Sequence, residues 1–171
     1  STLGVAGVIG TDNDHFNLPH GVTVDPNNLY VADYNNHRIQ KFNSSGIYQS
    51  TIGVTGVTGT DNAHFNNPHG LTMDSNYLYI ADVRNNRVQI FDHAGIYQLT
   101  LGESGASGSD NNHFNFPGGV AIDSKKNLYV ADINNHRVQK FVSTGDKCPK
   151  IVNADQLDTD NDGIGDACET V

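Results

Sequence analysis

Leu29–Phe42 reads LYVADYNNHRIQKF, and the pattern returns as LYIADVRNNRVQIF at Leu78–Phe91 and LYVADINNHRVQKF at Leu128–Phe141. Each copy is a short β-rich run ending in Asp, an Asn-rich turn, and a second β-rich run that opens on Arg and closes on Phe. That is the signature of two antiparallel strands joined by a tight turn. Asn tolerates left-handed backbone and bonds its own main chain, so Asn35-Asn36, Asn85-Asn86 and Asn134-Asn135 are placed at the turns. Asp33 and Arg38 fall at the two ends of one turn, as do Asp82 and Arg87, and Asp132 and Arg137. The spacing predicts a charge-assisted pair across each hairpin neck. We read it as a structural lock rather than a catalytic group, because one reaction seldom needs the same pair three times.

Working outward, Gly10-Thr-Asp-Asn recurs at Gly59 and Gly108, His15-Phe16-Asn17 at His64 and His113, and Pro19 at Pro68 and Pro117. These step by 49 residues; the hairpin step from Asp82 to Asp132 is 50, with an extra residue near Lys125-Lys126. Such a period belongs to a repeat architecture. Each copy holds a first strand (Gly21–Asp25, Gly70–Asp74, Gly119–Asp123), the hairpin, and a fourth strand (Ile47–Ile52, Ile96–Leu101) ended by Gly53 or Gly102. Four antiparallel strands in about 45 residues are one blade of a β-propeller. Apolar residues of both parities, such as Tyr30 and Val31, suit a blade packed on both faces. Lys41 and Lys140 are expected nearer the rim, stems on apolar surface and heads in water.

The motif P-x-G-V-x-V-D…L-Y-V-A-D-x-x-N-H-R-I-Q-K-F resembles the NHL repeat. The resemblance covers residues 1–145 and implies an all-β fold: three four-stranded propeller blades, forming a partial ring or half of a six-bladed one. Tyr30, Asp33, Asn36, His37 and Arg38 match the motif, as do Tyr129, Asp132, Asn135, His136 and Arg137. The second copy has Asn86 in place of His, so it is expected to lose whatever hydrogen bond the His makes. Periodic His15, His64 and His113, with His20 and His69, are read as loop braces. The alternative is a metal held near the ring axis, since peptide-amidating lyases on related propellers use zinc. No Ser-His-Asp or Cys-His constellation stands out.

The chain has 171 residues, 10 basic and 19 acidic, for a net charge of −9. No run of about 18 apolar residues exists to span a membrane. Ser1 opens in mid-pattern without a signal peptide, the mark of a processed, excised or truncated piece. The acidic balance and absence of a basic stripe disfavour nucleic acid as a partner, although some NHL propellers bind RNA. Residues 146–171 alone contribute 7 acids against 2 bases and hold both cysteines, Cys148 and Cys168. An even count confined to the tail predicts one local disulfide and an oxidising, extracellular or cell-surface location.

In that tail Asp158, Asp160 and Asp162 occupy positions 1, 3 and 5 of a loop. Gly163 allows the sharp turn at position 6, and Ile164 offers its carbonyl at 7. Asp166 stands at 9 and Glu169 at 12. This is the donor spacing of a Ca²⁺ loop, because calcium takes six to eight oxygens. No helical flanks accompany it, which disfavours a paired EF-hand. The pattern D-K-C-P-x-x-x-N-A-D-Q-x-D-x-D-x-D-G-I-G-D-A-C is similar to a thrombospondin type 3 repeat, whose members bind Ca²⁺ and carry local disulfides. Two domains follow: propeller blades in 1–145 and a calcium module in 146–171.

The leading reading is an extracellular binding or scaffold protein whose blade loops meet a protein or glycan partner. An enzyme of the lyase or lactonase kind, with a His-bound metal, ranks second. Three blades fall short of a closed ring. The chain is therefore expected either to be part of a longer propeller or to form a head-to-tail homodimer of six blades. In the homodimer, Ser1–Gly4 would complete the partner's last blade.

Overall fold

The computed structural model describes residues 2–142. Asp158, Asp160, Asp162, Ile164, Asp166, Glu169, Cys148, Cys168 and the domain boundary after residue 145 lie outside the described residues. Eleven strands are present among the described residues: β1 Pro19–Val24, β2 Asn28–Asp33, β3 Arg38–Asn43, β4 Tyr48–Ile52, β5 Pro68–Met73, β6 Tyr77–Asp82, β7 Arg87–Asp92, β8 Tyr97–Leu101, β9 Pro117–Ile122, β10 Leu128–Asp132 and β11 Arg137–Phe141. They form antiparallel sheets ordered β1-β2-β3-β4, β5-β6-β7-β8 and β9-β10-β11. Among the described residues the fold is all-β, its sheets arranged as β-propeller blades. Among the described residues the third blade has three strands, not the four of the other two.

Hairpin register runs from the sequence pattern: Leu29 faces Phe42, Val31 faces Gln40 and Asp33 faces Arg38, with equivalent pairs in the other blades. The turn between them differs from the expectation. It is a single 3₁₀ turn, Tyr34–Asn36, closed by a left-handed residue that is His37 (φ 56), with Asn86 (φ 53) and His136 (φ 53) its counterparts. In the first and third copies the left-handed residue is thus the His after the Asn pair, whereas in the second it is Asn86, a member of the pair. Asn36 stays in the 3₁₀ turn because its side chain is needed inside. In the third copy the extra residue is absorbed in the β9–β10 turn, where Lys126 takes a positive φ of 66.

The core sits between blades. One cluster joins Tyr30, Ala32 and Ile39 of blade 1 to Phe65, Leu71, Leu78 and Ile80 of blade 2. A second joins Val88, Ile90 and Leu101 of blade 2 to Phe114, Leu128 and Val130 of blade 3. Both faces of the middle blade are thus covered, which is why its strands are apolar on both parities. The segment from β4 to β5 crosses the blade tops, and each such loop doubles back so that Ile9 pairs with Phe16, Thr58 with Phe65 and Ser107 with Phe114. Gly53 marks where that loop starts. Its φ is 96, and a Cβ there would meet the Phe65 ring and the His37 carbonyl at under 3 Å, so only glycine fits.

Candidate functional site

Each blade top is built around one buried carboxylate. Asp33 Oδ2 accepts from Arg38 Nε at 2.8 Å, Asn36 Nδ2 at 2.8 Å and Gln40 Nε2 at 3.2 Å. Its Oδ1 accepts the Asn17 N–H at 2.7 Å. Asp33 and Arg38 side chains are 0% and 1% exposed. Arg38 then spends its other donors on the crossing loop: Thr11 O at 2.8 Å, Asp12 O at 2.6 Å and His15 O at 3.2 Å, and Thr55 Oγ1 at 3.2 Å beyond it. Asp82 and Arg87 repeat the arrangement with Asn85, Gln89, Thr60, Asp61, His64 and Ser104. Asp132 and Arg137 repeat it with Asn135, Gln139, Ser109 and His113, but Arg137 is 26% exposed.

The six residues assigned to the hairpin lock are therefore brought together in three pairs, and the geometry is structural. In the first two blades the Arg, Asn and Gln donors point at protein acceptors on the hairpin and its crossing loop. Sequence reasoning missed Gln40, Gln89 and Gln139, each bridging carboxylate and loop carbonyl. Their signal was the recurring Gln two residues after Arg. Burial pushes the Asp82 carboxyl above its ordinary value, against the Asn66 N–H, Arg87 and Asn85. Asp132 lies closer to water; burial again raises it, but the Asn115 N–H, Asn135, Arg137 and Gln139 together outweigh that and hold it below.

The periodic histidines do not converge. His15, His64 and His113 each bond an Asp three residues back through Nδ1, at 2.7, 2.7 and 2.8 Å, and each stays with its own crossing loop. In blade 3 the His113 Nε2 also meets Glu103 at 3.0 Å. Asp110 first and Glu103 second raise the His113 pKa. Among the described residues no three His, Cys, Asp or Glu groups are placed to hold a metal ion.

The histidines that do meet are His20 and His69, at the starts of β1 and β5. Their rings stack at 4.3 Å between centroids, tilted by 40°. Tyr34 joins them, 4.6 Å from His20 and 6.1 Å from His69. His20 is exposed and the other two are half-buried. Burial, and then the neighbouring His20, lower the His69 pKa, opposed by its bond with the Gly118 main chain. The neutral His69 ring is thus favoured, and the trio is a partly exposed aromatic platform at the inner-strand ends.

Between blades, His37 Nδ1 accepts the Asn67 N–H at 3.1 Å. The second copy does not lose this bond. Asn86 Oδ1 accepts the Phe116 N–H at 3.0 Å in its place, because both side chains put an acceptor in reach from the same left-handed position. Lys41 also crosses, lying 5.3 Å over the Tyr30 ring and donating to His93 O of blade 2 at 2.9 Å. It ends on a neighbouring carbonyl rather than in water.

The NHL repeat profile matches residues 16–42, 65–91 and 114–141. The chain carries three NHL repeats. No curated protein matches it in sequence. Among solved structures, the NHL blades are similar to an auxiliary nutrient binding protein from Bacteroides ovatus (20% identity, TM-score 0.60, 72% of this chain and 37% of that one). A second auxiliary nutrient binding protein, from Bacteroides thetaiotaomicron, gives 19% identity and TM-score 0.57 over 70% of this chain and 36% of that one. Virginiamycin B lyase from Staphylococcus aureus gives 15% identity and TM-score 0.53 over 73% and 38%. At these identities the likeness is one of fold. The chain spans little more than a third of the length of each. No helix among the described residues is long and apolar enough to cross a membrane.

Proposed function

We propose that the chain is a binding module, in which NHL blades present their loop-end surface to a protein or glycan and a C-terminal acidic segment binds calcium. The observation that carries the binding half is the His20–His69–Tyr34 platform. Stacked, partly exposed rings with polar edges suit the CH faces and hydroxyls of a sugar, or a peptide segment. Similarity to two auxiliary nutrient binding proteins is compatible with this. Screening the 171-residue chain on a glycan array and a peptide library tests it. Hits are expected that weaken at least tenfold in a His69→Ala, Tyr34→Ala double variant; absence of any hit, or hits indifferent to that change, refutes the reading.

The calcium half rests on the spacing of Asp158, Asp160, Asp162, Asp166 and Glu169, with the Ile164 carbonyl, and on resemblance to a thrombospondin type 3 repeat. Repulsion among these acids opposes a compact metal-free loop, and the ion relieves it. Residues 146–171 are read as that module, closed by a Cys148–Cys168 disulfide, in an extracellular or cell-surface protein. Titration calorimetry with CaCl₂ is expected to give one-site binding that Asp158→Ala and Asp162→Ala each abolish. Unchanged heats in both variants contradict the assignment.

A second reading, a lyase or lactonase with a His-bound metal, draws on the His20–His69 contact and the fold shared with virginiamycin B lyase. Stoichiometric zinc lost in His20→Ala and His69→Ala variants would favour it over the binding module.

A further inference from the structure

The two outer blade faces are halves of the interface that the chain already makes twice. Blade 2 packs Leu71 and Leu78 onto Tyr30, Ala32 and Ile39 of blade 1. On blade 1 itself, the counterparts of Leu71 and Met73 are Val22 and Val24, 62% and 65% exposed. On blade 3, the counterparts of Tyr30, Ala32 and Ile39 are Tyr129, Ala131 and Val138. They line an open depression with Gly119 and Ala121, and Val138 is 65% exposed. One end of the chain thus presents the front of a blade and the other end the back.

Polar groups are left over in the same complementary way. Leu18, Asn67 and Phe116 share a left-handed backbone, with φ of 54, 59 and 63. Asn67 and Phe116 give their N–H to His37 and Asn86 of the blade before. Among the described residues, the Leu18 N–H has no acceptor and the His136 ring no partner. Lys140 lies 5.6 Å over the Tyr129 ring, the pose in which Lys41 lies over Tyr30. Lys41 donates to His93 O in the β7–β8 turn of the next blade. Lys140 has no such acceptor among the described residues, and the residue one repeat before His93 is Ser44. At the N-terminus, Leu3 packs over Gly46 as Ile52 packs over Gly95. Thr2–Gly4 thus lies against blade 1 in the place that the end of β4 holds against blade 2, but it is not in a strand.

We infer that, for the 171-residue chain taken by itself, the occupant of each open face is the opposite open face of a second copy, in a head-to-tail pair of six blades. In it, the back of blade 3 covers Val22 and Val24 of the partner copy, the Leu18 N–H meets His136 Nδ1, and Lys140 meets the Ser44 carbonyl. The Leu3 segment then lies beside the free edge of β11. The two contacts are identical, and the pair closes with two-fold symmetry if the blade-to-blade rotation brings the sixth blade back to the first. Six blades fall within the four to eight that closed propellers use. This assembly is independent of the binding reading above, and each can fail without the other.

The test is the mass of the 171-residue chain by light scattering at tens of micromolar. A dimer of the 18.5 kDa chain is expected. Val22→Asp and Val138→Asp replace exposed residues, so each is expected to keep the β circular dichroism of the parent and to become monomeric. Mixed in equal amounts, the two variants are expected to pair again, because one of the two contacts is then free of either change. A folded wild-type monomer, assemblies larger than the dimer, a variant that still dimerises, or a mixture that stays monomeric overturns the inference.

Discussion

Replacing Asp82 by Asn is the sharpest test of what holds a blade top together. The change is nearly isosteric, and Oδ1 still accepts the Asn66 N–H. The other atom becomes an amide that faces three donors, Arg87 Nε, Asn85 Nδ2 and Gln89 Nε2. Arg87 is 1% exposed, so water cannot take the lost partner's place. Stranding one member of a buried pair costs about 3–5 kcal/mol, a large share of the roughly 5–15 kcal/mol that a domain has in total. Arg137 is 26% exposed, and water can solvate part of its guanidinium, so Asp132→Asn should cost less, about 1–3 kcal/mol. Arg87→Met should cost at least as much as Asp82→Asn, because it also strands the Thr60, Asp61 and His64 carbonyls. Urea unfolding followed by circular dichroism on the three variants gives the order. An Asp82→Asn cost below about 1 kcal/mol, or a larger cost at Asp132 than at Asp82, refutes the reasoning.

The fold should weaken in acid through His37 and His69. Burial lowers both pKa values, so their contribution is present above the ordinary 6.5 and is lost as pH falls through the depressed folded values. His37→Asn keeps an acceptor for the Asn67 N–H and should flatten part of that slope in melting curves taken between pH 7 and 5. His113, held up by Asp110 and Glu103, works with the opposite sign; its share is lost as pH rises through its raised value. Asn86→Ala should cost about 1–2 kcal/mol by losing the Phe116 bond and leaving Ala left-handed. Asn86→His should be close to neutral, and a cost equal to that of Ala would refute the equivalence with His37. Gly53→Ala should cost about 2–4 kcal/mol because strain adds to overlap with Phe65 and His37. Gly56→Ala has a φ of 74 and open space around it, so it should cost only about 1 kcal/mol; equal thermal melts for the two would count against this account.

Much was legible in the chain alone because a repeat writes its local rules three times. Strand alternation, Asp and Arg at the ends of one turn, and Gly where the outer strand stops all follow from interactions within a few residues. Those are set by backbone sterics and side-chain reach, so a single copy predicts them and the other two agree. The carboxylate spacing at Asp158–Glu169 is a local pattern too, but it lies outside the described residues. What the sequence could not settle lies between groups 26 to 52 residues apart. Nothing local says that Asn36 must feed Gly10 O, that Arg38 spends its donors on the loop before its own blade, or that Lys41 ends on the carbonyl of His93. The histidines show the difference most clearly. His15, His64 and His113 share a perfect period yet never meet, because each is bound to its own loop. His20 and His69 touch only because the inner strands of adjacent blades run side by side. Asn86 looked like a lost function until the left-handed turn placed its Oδ1 where the His37 nitrogen would be. Periodicity fixes what each residue is next to along the chain; the packing of one blade on another decides which of those groups find a partner.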